Sequence, residues 1–332
     1  MEERKEIVNK YIYKGMKAEK AARIAGFSRS SYYYKPTGNK PGKKPSTITL
    51  KQNGNKVDND IVVSDIKNII KPDFIDYGYD KVTAQLKKMS YIINRKKVYR
   101  LMKENHLLNP KKMSRKLSKN YVKFSQPYPS QPFEVLEIDI KYIYIAGDKR
   151  NAFLITIIDV FTRKALVWNL DYSMKSHIVI SLIDKLILKH LQPRDLLNKN
   201  IKVTIRSDNG SQFIAKLVRN HLKENLIYHE FIKPATPQQN AYIESFHSIV
   251  EKLVCKKFEF ENLNHAIDVF ANFFNTYNKK RIMKCLLYKS PDNFLDEWDN
   301  GNLMVAYNIF NKKQSFFFRE KQNQKSLISP LP

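Results

Sequence analysis

Cysteine is nearly absent: Cys255 and Cys285 are the only two in 332 residues. They lack the paired spacing of a zinc site and cannot build a disulfide framework, so a reducing, cytosolic setting is expected. Long apolar runs are missing as well. No stretch approaches the roughly 18 uninterrupted apolar residues of a membrane helix. The opening Met1-Glu2-Glu3-Arg4-Lys5 has no apolar signal-peptide core. Acid is the third scarcity, with 32 Asp and Glu against 59 Lys and Arg and a net charge of +27. Such a surplus repels itself, and a polyanion is the natural compensation, with nucleic acid first among the candidates.

What is present suffices for more than one folded domain. Hydrophobic residues make up 42% of the chain, enough to build real cores over this length. Residues 1–36 read as a helix with Ala18, Ala21, Ala22 and Ala25 at helical spacing. A Gly26-Phe27-Ser28 turn and a short basic-aromatic helix from Arg29 to Tyr34 come next. This is a helix-turn-helix layout, and Arg29 at the start of its second helix is a candidate to reach a base edge. Residues 37–58 are rich in Pro, Gly, Lys, Asn and Thr without periodicity and are expected to be a linker. Helical spacing returns over 59–110. Val82 and Leu86 mark one helix there, and Asn94 caps another carrying Val98, Leu101 and Met102.

Charge concentrates in this second helical unit and the basic linker expected at 111–130. Between Lys81 and Lys123 stand 14 Lys and Arg against a single acid, Glu104. A solvated helix face is the ordinary meaning of a charge run. A surplus this one-sided, interleaved with Tyr91, Tyr99 and Tyr121, is better read as a surface that tracks DNA. Lys96, Lys97, Arg100, Lys111, Lys112, Arg115 and Lys116 are its candidate contacts.

After Pro132 the hydrophobic period changes from helical to two. Leu136, Ile138, Ile140 and Tyr142 would share one face of a strand, and Glu137, Asp139 and Lys141 the other. Further strands are expected over 152–160, 164–170, 201–205 and 226–232. Helices are expected over about 178–191 and 211–225, with a long one from about Gln239. The result is a mixed α/β sheet. Asp208 lies where a strand ends at Asn209-Gly210. Glu244 stands in the first turns of the long helix, beside a buried stripe of Ile243, Phe246, Val250 and Leu253. Carboxylates are the hard oxygen ligands that magnesium-assisted phosphodiester chemistry uses, yet singly each acid is unremarkable.

The residues around these acids carry a resemblance. Ser207-Asp208-Asn209-Gly210-Ser211-Gln212-Phe213 and Pro237-Gln238-Gln239-Asn240-Ala241-Tyr242-Ile243-Glu244-Ser245-Phe246-His247 closely resemble bacterial insertion-sequence transposases of the DDE, retroviral-integrase-like superfamily. Asp208 and Glu244 stand 36 positions apart. Asp139-Ile140-Lys141-Tyr142-Ile143 and Ile158-Asp159-Val160-Phe161-Thr162-Arg163 resemble the first two strands of that core. Tyr277-Asn278 with Arg281, and Lys289-Ser290-Pro291, resemble its closing segment. Tyr77-Gly78-Tyr79 and Val98-Tyr99-Arg100-Leu101-Met102 resemble the helical domain before it. Three positions depart from the pattern: Asp80 and Glu251 where a basic residue is common, and Met283 where histidine is.

The resemblance implies a five-stranded RNase H-like catalytic core over 131–296, preceded by small all-α domains. Asp139, Asp208 and Glu244 would be both catalytic residues and ligands of two Mg²⁺ ions, with Mn²⁺ a substitute. The activity implied is strand cleavage at element ends and 3′-OH strand transfer. Double-stranded DNA, both terminal inverted repeats and target, would be the partner. A homo-oligomer on DNA, an upstream-encoded DNA-binding polypeptide and a bacterial, nucleoid-associated location are further implications. His247 and Lys252 join the candidate DNA contacts. Glu137 is expected to be solvated or to act behind the ligands, Asn240 to cap the helix of Glu244, and Asp159 to be structural, paired with Arg163. Residues 297–332 form a tail without an assigned role. A retroviral-type integrase would usually carry an N-terminal module of two His and two Cys; before residue 132 there is only His106 and no Cys. An RNase H-type nuclease gives no reason for a preceding helix-turn-helix. The remaining alternative is a catalytically silent, transposase-derived DNA-binding protein.

Overall fold

The computed structural model describes residues 2–35, 45–109, 128–197, 201–233, 237–308 and 313–319. The chain divides after Thr47 into two units. In the first, α1 (Glu2–Tyr13), α2 (Ala18–Ile24) and α3 (Arg29–Tyr33) pack around Val8, Ala21 and Ala22. Alanines at helical spacing bury because their small side chains let the helices approach. Gly26 adopts a left-handed φ of 68° between α2 and α3, and Ser28 caps α3 by accepting the Ser31 amide at 3.1 Å.

The second unit begins in the segment expected to be a linker. Residues 48–58 instead form a hairpin, β1 (Ile48–Lys51) and β2 (Lys56–Asp58). It packs with α4 (Asn59–Ile70), α5 (Tyr79–Lys88), β3 (Tyr91–Ile92) and α6 (Arg95–Glu104), and β1 pairs with both β2 and β3. Two strands of four and three residues are too short for alternation to register, and their pairing to β3 is invisible locally. Val62, Ile66, Val82, Leu86, Val98 and Met102 are the core of this module. Asn94 caps α6, its side chain accepting the Lys96 amide at 2.8 Å.

A polar latch joins this module to the segment around Arg281. Tyr77 donates its hydroxyl to the Lys280 carbonyl (3.0 Å) and accepts the Ile282 amide (2.9 Å). Asp76 accepts from buried Arg281 at 2.8 Å and pairs with Lys252. Burial works against the Asp76 charge, but Arg281 and Lys252 outweigh it and hold its pKa below the ordinary carboxylate value.

The large sheet contains β4 (Val135–Ile145), β5 (Arg150–Asp159), β6 (Ala165–Asp171), β7 (Thr204–Ser207) and β8 (Tyr228–Phe231) in the order β6-β5-β4-β7-β8. The first three are antiparallel neighbours; β7 and β8 are parallel additions. Helix α7 (Ser176–Leu186) crosses from β6 to β7, and α8 (Ser211–Ile214) with α9 (Lys216–Glu224) crosses from β7 to β8. On one sheet face Leu136, Ile138, Ile155, Ile157 and Ile205 meet Leu182, Leu186, Val218 and Leu222. On the other, Ile143, Ile145, Leu154 and Leu170 meet α10 (Ala241–Val250), α11 (Leu263–Lys279) and α12 (Pro291–Asp299).

Beyond α12, the expected tail holds a hairpin of β9 (Leu303–Asn308) and β10 (Lys313–Phe318). Leu303 and Phe316 are buried, and Phe316 packs edge-on against Phe161 and Phe294. Its described part therefore extends the core. Phe316-Phe317-Phe318 has no assignable role in a basic stretch of sequence, because the ring partners of Phe316 lie in other elements. Among the described residues no helix is long and apolar enough to cross a membrane.

Candidate active site

Strand β4 holds the site because one of its faces changes character along its length. Ile143 and Ile145 on that face are buried in the core, while Glu137, Asp139 and Lys141 precede them. Parallel β7 pairs Leu136 with Ile205 and Glu137 with Arg206. Residues paired across neighbouring strands project to the same face, so Arg206 shares the face of Glu137. Asp208 stands two residues beyond Arg206, as Asp139 stands two beyond Glu137.

Helix α10 brings the third acid. Ile243, Phe246 and Val250 are buried, and the stripe continues through Leu253 in a π-type turn, Glu251–Cys255. Glu244 stands beside that stripe, within electrostatic reach of Asp139. Its pKa is raised, first by burial and then by the Asp139 charge, with His247 acting in the opposite direction. One turn on, His247 sets Nδ1 3.4 Å from Asp139 Oδ2. Asp208 turns its Oδ1 back to accept the Gly210 amide at 3.0 Å, a turn that ends β7. A Cβ on Gly210 would lie 2.3 Å from Gln212 Nε2 and 3.0 Å from Asp208 Oδ1, so glycine keeps this corner open.

Asp139 and Glu244 are thus neighbours, and Asp208 enters from the adjacent strand with its carboxylate engaged by its own backbone. Among the described residues, no three acid, histidine or cysteine side chains already form a group able to hold a metal ion. The donor chemistry nevertheless suits one. Two adjacent carboxylates oppose each other's charge, and their oxygens are the hard ligands Mg²⁺ prefers. Thr156 Oγ1, His247 Nε2, Glu137 Oε1 and Asn240 Oδ1 are buried without hydrogen-bond partners. Thr156 is the cross-strand partner of Asp139. Buried polar atoms are rarely left so, and two of these residues, Thr156 and His247, lie against Asp139, where a hydrated cation would give them a partner.

Several sequence expectations are corrected here. Glu137 is fully buried rather than solvated: its Oε2 accepts the Ile243 amide at 2.8 Å, and burial pushes its pKa up to about 7. Asn240 occupies the N-cap position of α10 but makes no capping bond with its side chain. Glu137, from a strand far earlier in the chain, takes that role. Asp159 is structural but is not paired with Arg163. It accepts from the amides of Phe133, Phe161 and Thr162 and from the Thr162 hydroxyl. The Arg163 guanidinium lies 3.7 Å from the Tyr242 ring centroid instead. No local signal foretells Glu137 as a cap, since only tertiary folding brings β4 to the start of α10.

The candidate DNA contacts separate by what they touch. Arg29 is exposed on α3, and Lys96 is exposed on α6 with Arg95, Tyr99 and Lys103, a stripe at helical spacing. Lys97 donates to the Ile48 carbonyl, and Arg100 pairs with Glu104 at 3.4 Å. Lys252 is held by Asp76, and His247 by Asp139. Lys111, Lys112, Arg115 and Lys116 lie outside the described residues. The unusual acids also have partners: Asp80 faces Arg95 at 4.0 Å, and Glu251 bridges to Lys141 at 3.0 Å. Met283 is buried.

Comparison with known proteins finds three family models that match parts of the chain. Family models described as "Integrase core domain" match residues 129–237 and 225–291, and one described as "HTH-like domain" matches 57–115. The last falls on the second helical module. The transposase for insertion sequence element IS904 of Lactococcus lactis is 26% identical over 248 residues, covering 72% of this chain and 95% of that protein. An insertion element IS476 protein of 39.2 kDa from Xanthomonas euvesicatoria is 25% identical over 262 residues, covering 79% of this chain and 67% of that one. Among solved structures, the catalytic domain of Mos1 mariner transposase matches with a TM-score of 0.38 at 14% identity, over 49% of this chain and 74% of that one. The HTLV-2 integrase catalytic core in complex with magnesium matches with a TM-score of 0.35 at 19% identity, over 49% and 96%. The sheet order and flanking helices are those of an RNase H-like core.

Proposed function

We propose that the chain is a transposase of the integrase-core kind, like the insertion-element proteins it is similar to, and that it cuts DNA at element ends and transfers the 3′-OH ends into new phosphodiesters. The observation that carries this reading is the contact of His247, one turn beyond Glu244 on α10, with Asp139 of β4 at 3.4 Å, which sets Glu244 within electrostatic reach of Asp139 beside the end of the strand that leads to Asp208. Asp139, Asp208 and Glu244 would hold divalent Mg²⁺, for which Mn²⁺ could substitute, as two ions. Held by these residues, divalent ions would supply Lewis-acid activation of the attacking oxygen and stabilisation of the leaving one.

The protein's own residues supply position and charge. His247 holds Asp139 from one turn beyond Glu244. The buried stripe of α10 fixes the helix against the sheet. Asp208 would have to release the Gly210 amide for that carboxylate oxygen to serve as a ligand. The exposed stripe Arg95, Lys96, Tyr99 and Lys103 on α6 would track DNA phosphates, with Arg29 as a separate contact in the N-terminal unit. Terminal inverted repeats and target DNA are the proposed partners. Holding two ends at once calls for a homo-oligomer on DNA, with an upstream-encoded DNA-binding polypeptide as a further partner. The setting would be the bacterial cytoplasm, at the nucleoid.

The test uses labelled element-end DNA, Mg²⁺ or Mn²⁺, and an Asp208→Ala variant. Cleavage and strand transfer are expected from the wild type and lost from the variant, while DNA binding persists in both. A wild type that binds and never cuts under either metal would instead be a silent DNA-binding protein. Lys96→Ala should weaken binding uniformly across sequences and reduce the salt slope of log K by about 1. An unchanged slope would remove Lys96 from the phosphate contacts.

A further inference from the structure

Glu137 and Arg206 face each other across β4 and β7, and both reach the entrance of α10. Glu137 Oε2 accepts the Ile243 amide at 2.8 Å. Arg206 Nη1 donates to the Gln239 carbonyl at 3.0 Å. Arg206 is itself braced by Glu230 of β8, through Nε at 2.8 Å and Nη2 at 2.7 Å. A carboxylate at a helix N-terminus satisfies amides that have no intrahelical acceptor and complements the positive end of the helix dipole. Asn240 leaves that task undone.

We propose that Glu137 and Arg206 are the positioning pair of the active site, gripping the first turn of α10 so that Glu244 faces Asp139. The inference rests on the assignment of Asp139, Asp208 and Glu244 as metal ligands. The strand register gives it a simple logic. Each of the two strands presents a gripping residue and then, two positions later, a proposed ligand: Glu137 before Asp139, and Arg206 before Asp208. One register therefore aligns two ligands directly and the third through the helix held by the grip. An acid buried only to fill space would have no reason to meet the one helix start that carries Glu244.

The experiment uses the full chain with Glu137→Ala and Glu137→Gln, measured first by amide hydrogen exchange without metal. Glu137→Ala should speed exchange across 241–250 by tenfold or more and leave β5 unchanged. Glu137→Gln, which keeps an acceptor for the Ile243 amide, should restore most of the protection. On element-end DNA with Mg²⁺, Glu137→Ala should lower the single-turnover cleavage rate without changing the DNA concentration for half-saturation, and Glu137→Gln should recover most of that rate. Unchanged exchange over 241–250 would overturn the proposal, and so would faster exchange spread evenly over the core. If Glu137→Ala does not fold, Arg206→Ala and Arg206→Lys decide by the same exchange readout. A wild type that never cleaves would sink the assignment of function, while the exchange measurement would still decide whether the grip exists.

Discussion

The two faces of the central sheet are built from the same strands yet do different work. Toward α7 and α9 the sheet is dry, with Leu136, Ile138, Ile155, Ile157 and Ile205 closed over by Leu182, Leu186, Val218 and Leu222. Toward α10 and α11, β4 itself is apolar only at one end, where Ile143 and Ile145 pack. At the other end stand Glu137, Asp139, Arg206 and, just past β7, Asp208. The dry face supplies stability by burial. The mixed face spends part of that on acids that repel each other and on buried polar atoms without partners. The difference identifies where the chain departs from what folding alone would favour.

That comparison can be broken or sharpened by substitution. The largest effect is expected from Asp139→Asn or Glu244→Gln on the mixed face. Cleavage should fall by at least about 100-fold, since metal-held oxygens contribute several kcal/mol. The melting temperature of the metal-free protein should hold or rise, because one of two opposed charges is gone. A stability loss matching that of a core truncation would make the acids structural instead. Next comes Leu182→Ala on the dry face, where a fully buried side chain is removed. It should cost about 3 kcal/mol of unfolding free energy, read by denaturant titration, and leave the metal concentration for half-maximal cleavage unchanged.

The smallest effect concerns His229, a titratable group on the dry side of β8. Its Nε2 lies 2.8 Å from Ser207 Oγ, its Nδ1 is buried without a partner, and burial followed by the Arg219 charge lowers its pKa to about 4. The neutral form is the one the fold accepts. Its contribution to stability is therefore present above the unfolded pKa of about 6.5 and is lost as pH falls from there toward 4. His229→Gln should flatten that part of the melting-temperature profile. An unchanged profile would mean that His229 charges freely in the folded protein.

Much of this was legible in order along the chain. The switch from helical to two-residue periodicity after Pro132 marked the start of the sheet, and the stripe of Ile243, Phe246, Val250 and Leu253 oriented α10. The spacing of Asp208 and Glu244 within two dense motifs pointed to the site before any geometry. The hairpin at 48–58 was not legible, because three- and four-residue strands carry almost no periodic signal. Nor was the burial of Phe316, whose ring partners Phe161 and Phe294 are supplied by other elements. Lys252 is a candidate DNA contact in the sequence, and only the fold brings Asp76 to it.

By itself the sequence marked the strands and helices of the large sheet and the basic character of the second helical module, and its motifs named the candidate metal ligands. These are properties of residue order and spacing within short windows, where backbone periodicity and side-chain chemistry act directly. Only the tertiary structure decided that Glu137 lies buried beneath the start of α10, and that Asp76 latches the helical module to the core. Both depend on which face of one element meets another, and that is set by collective packing across the whole sheet.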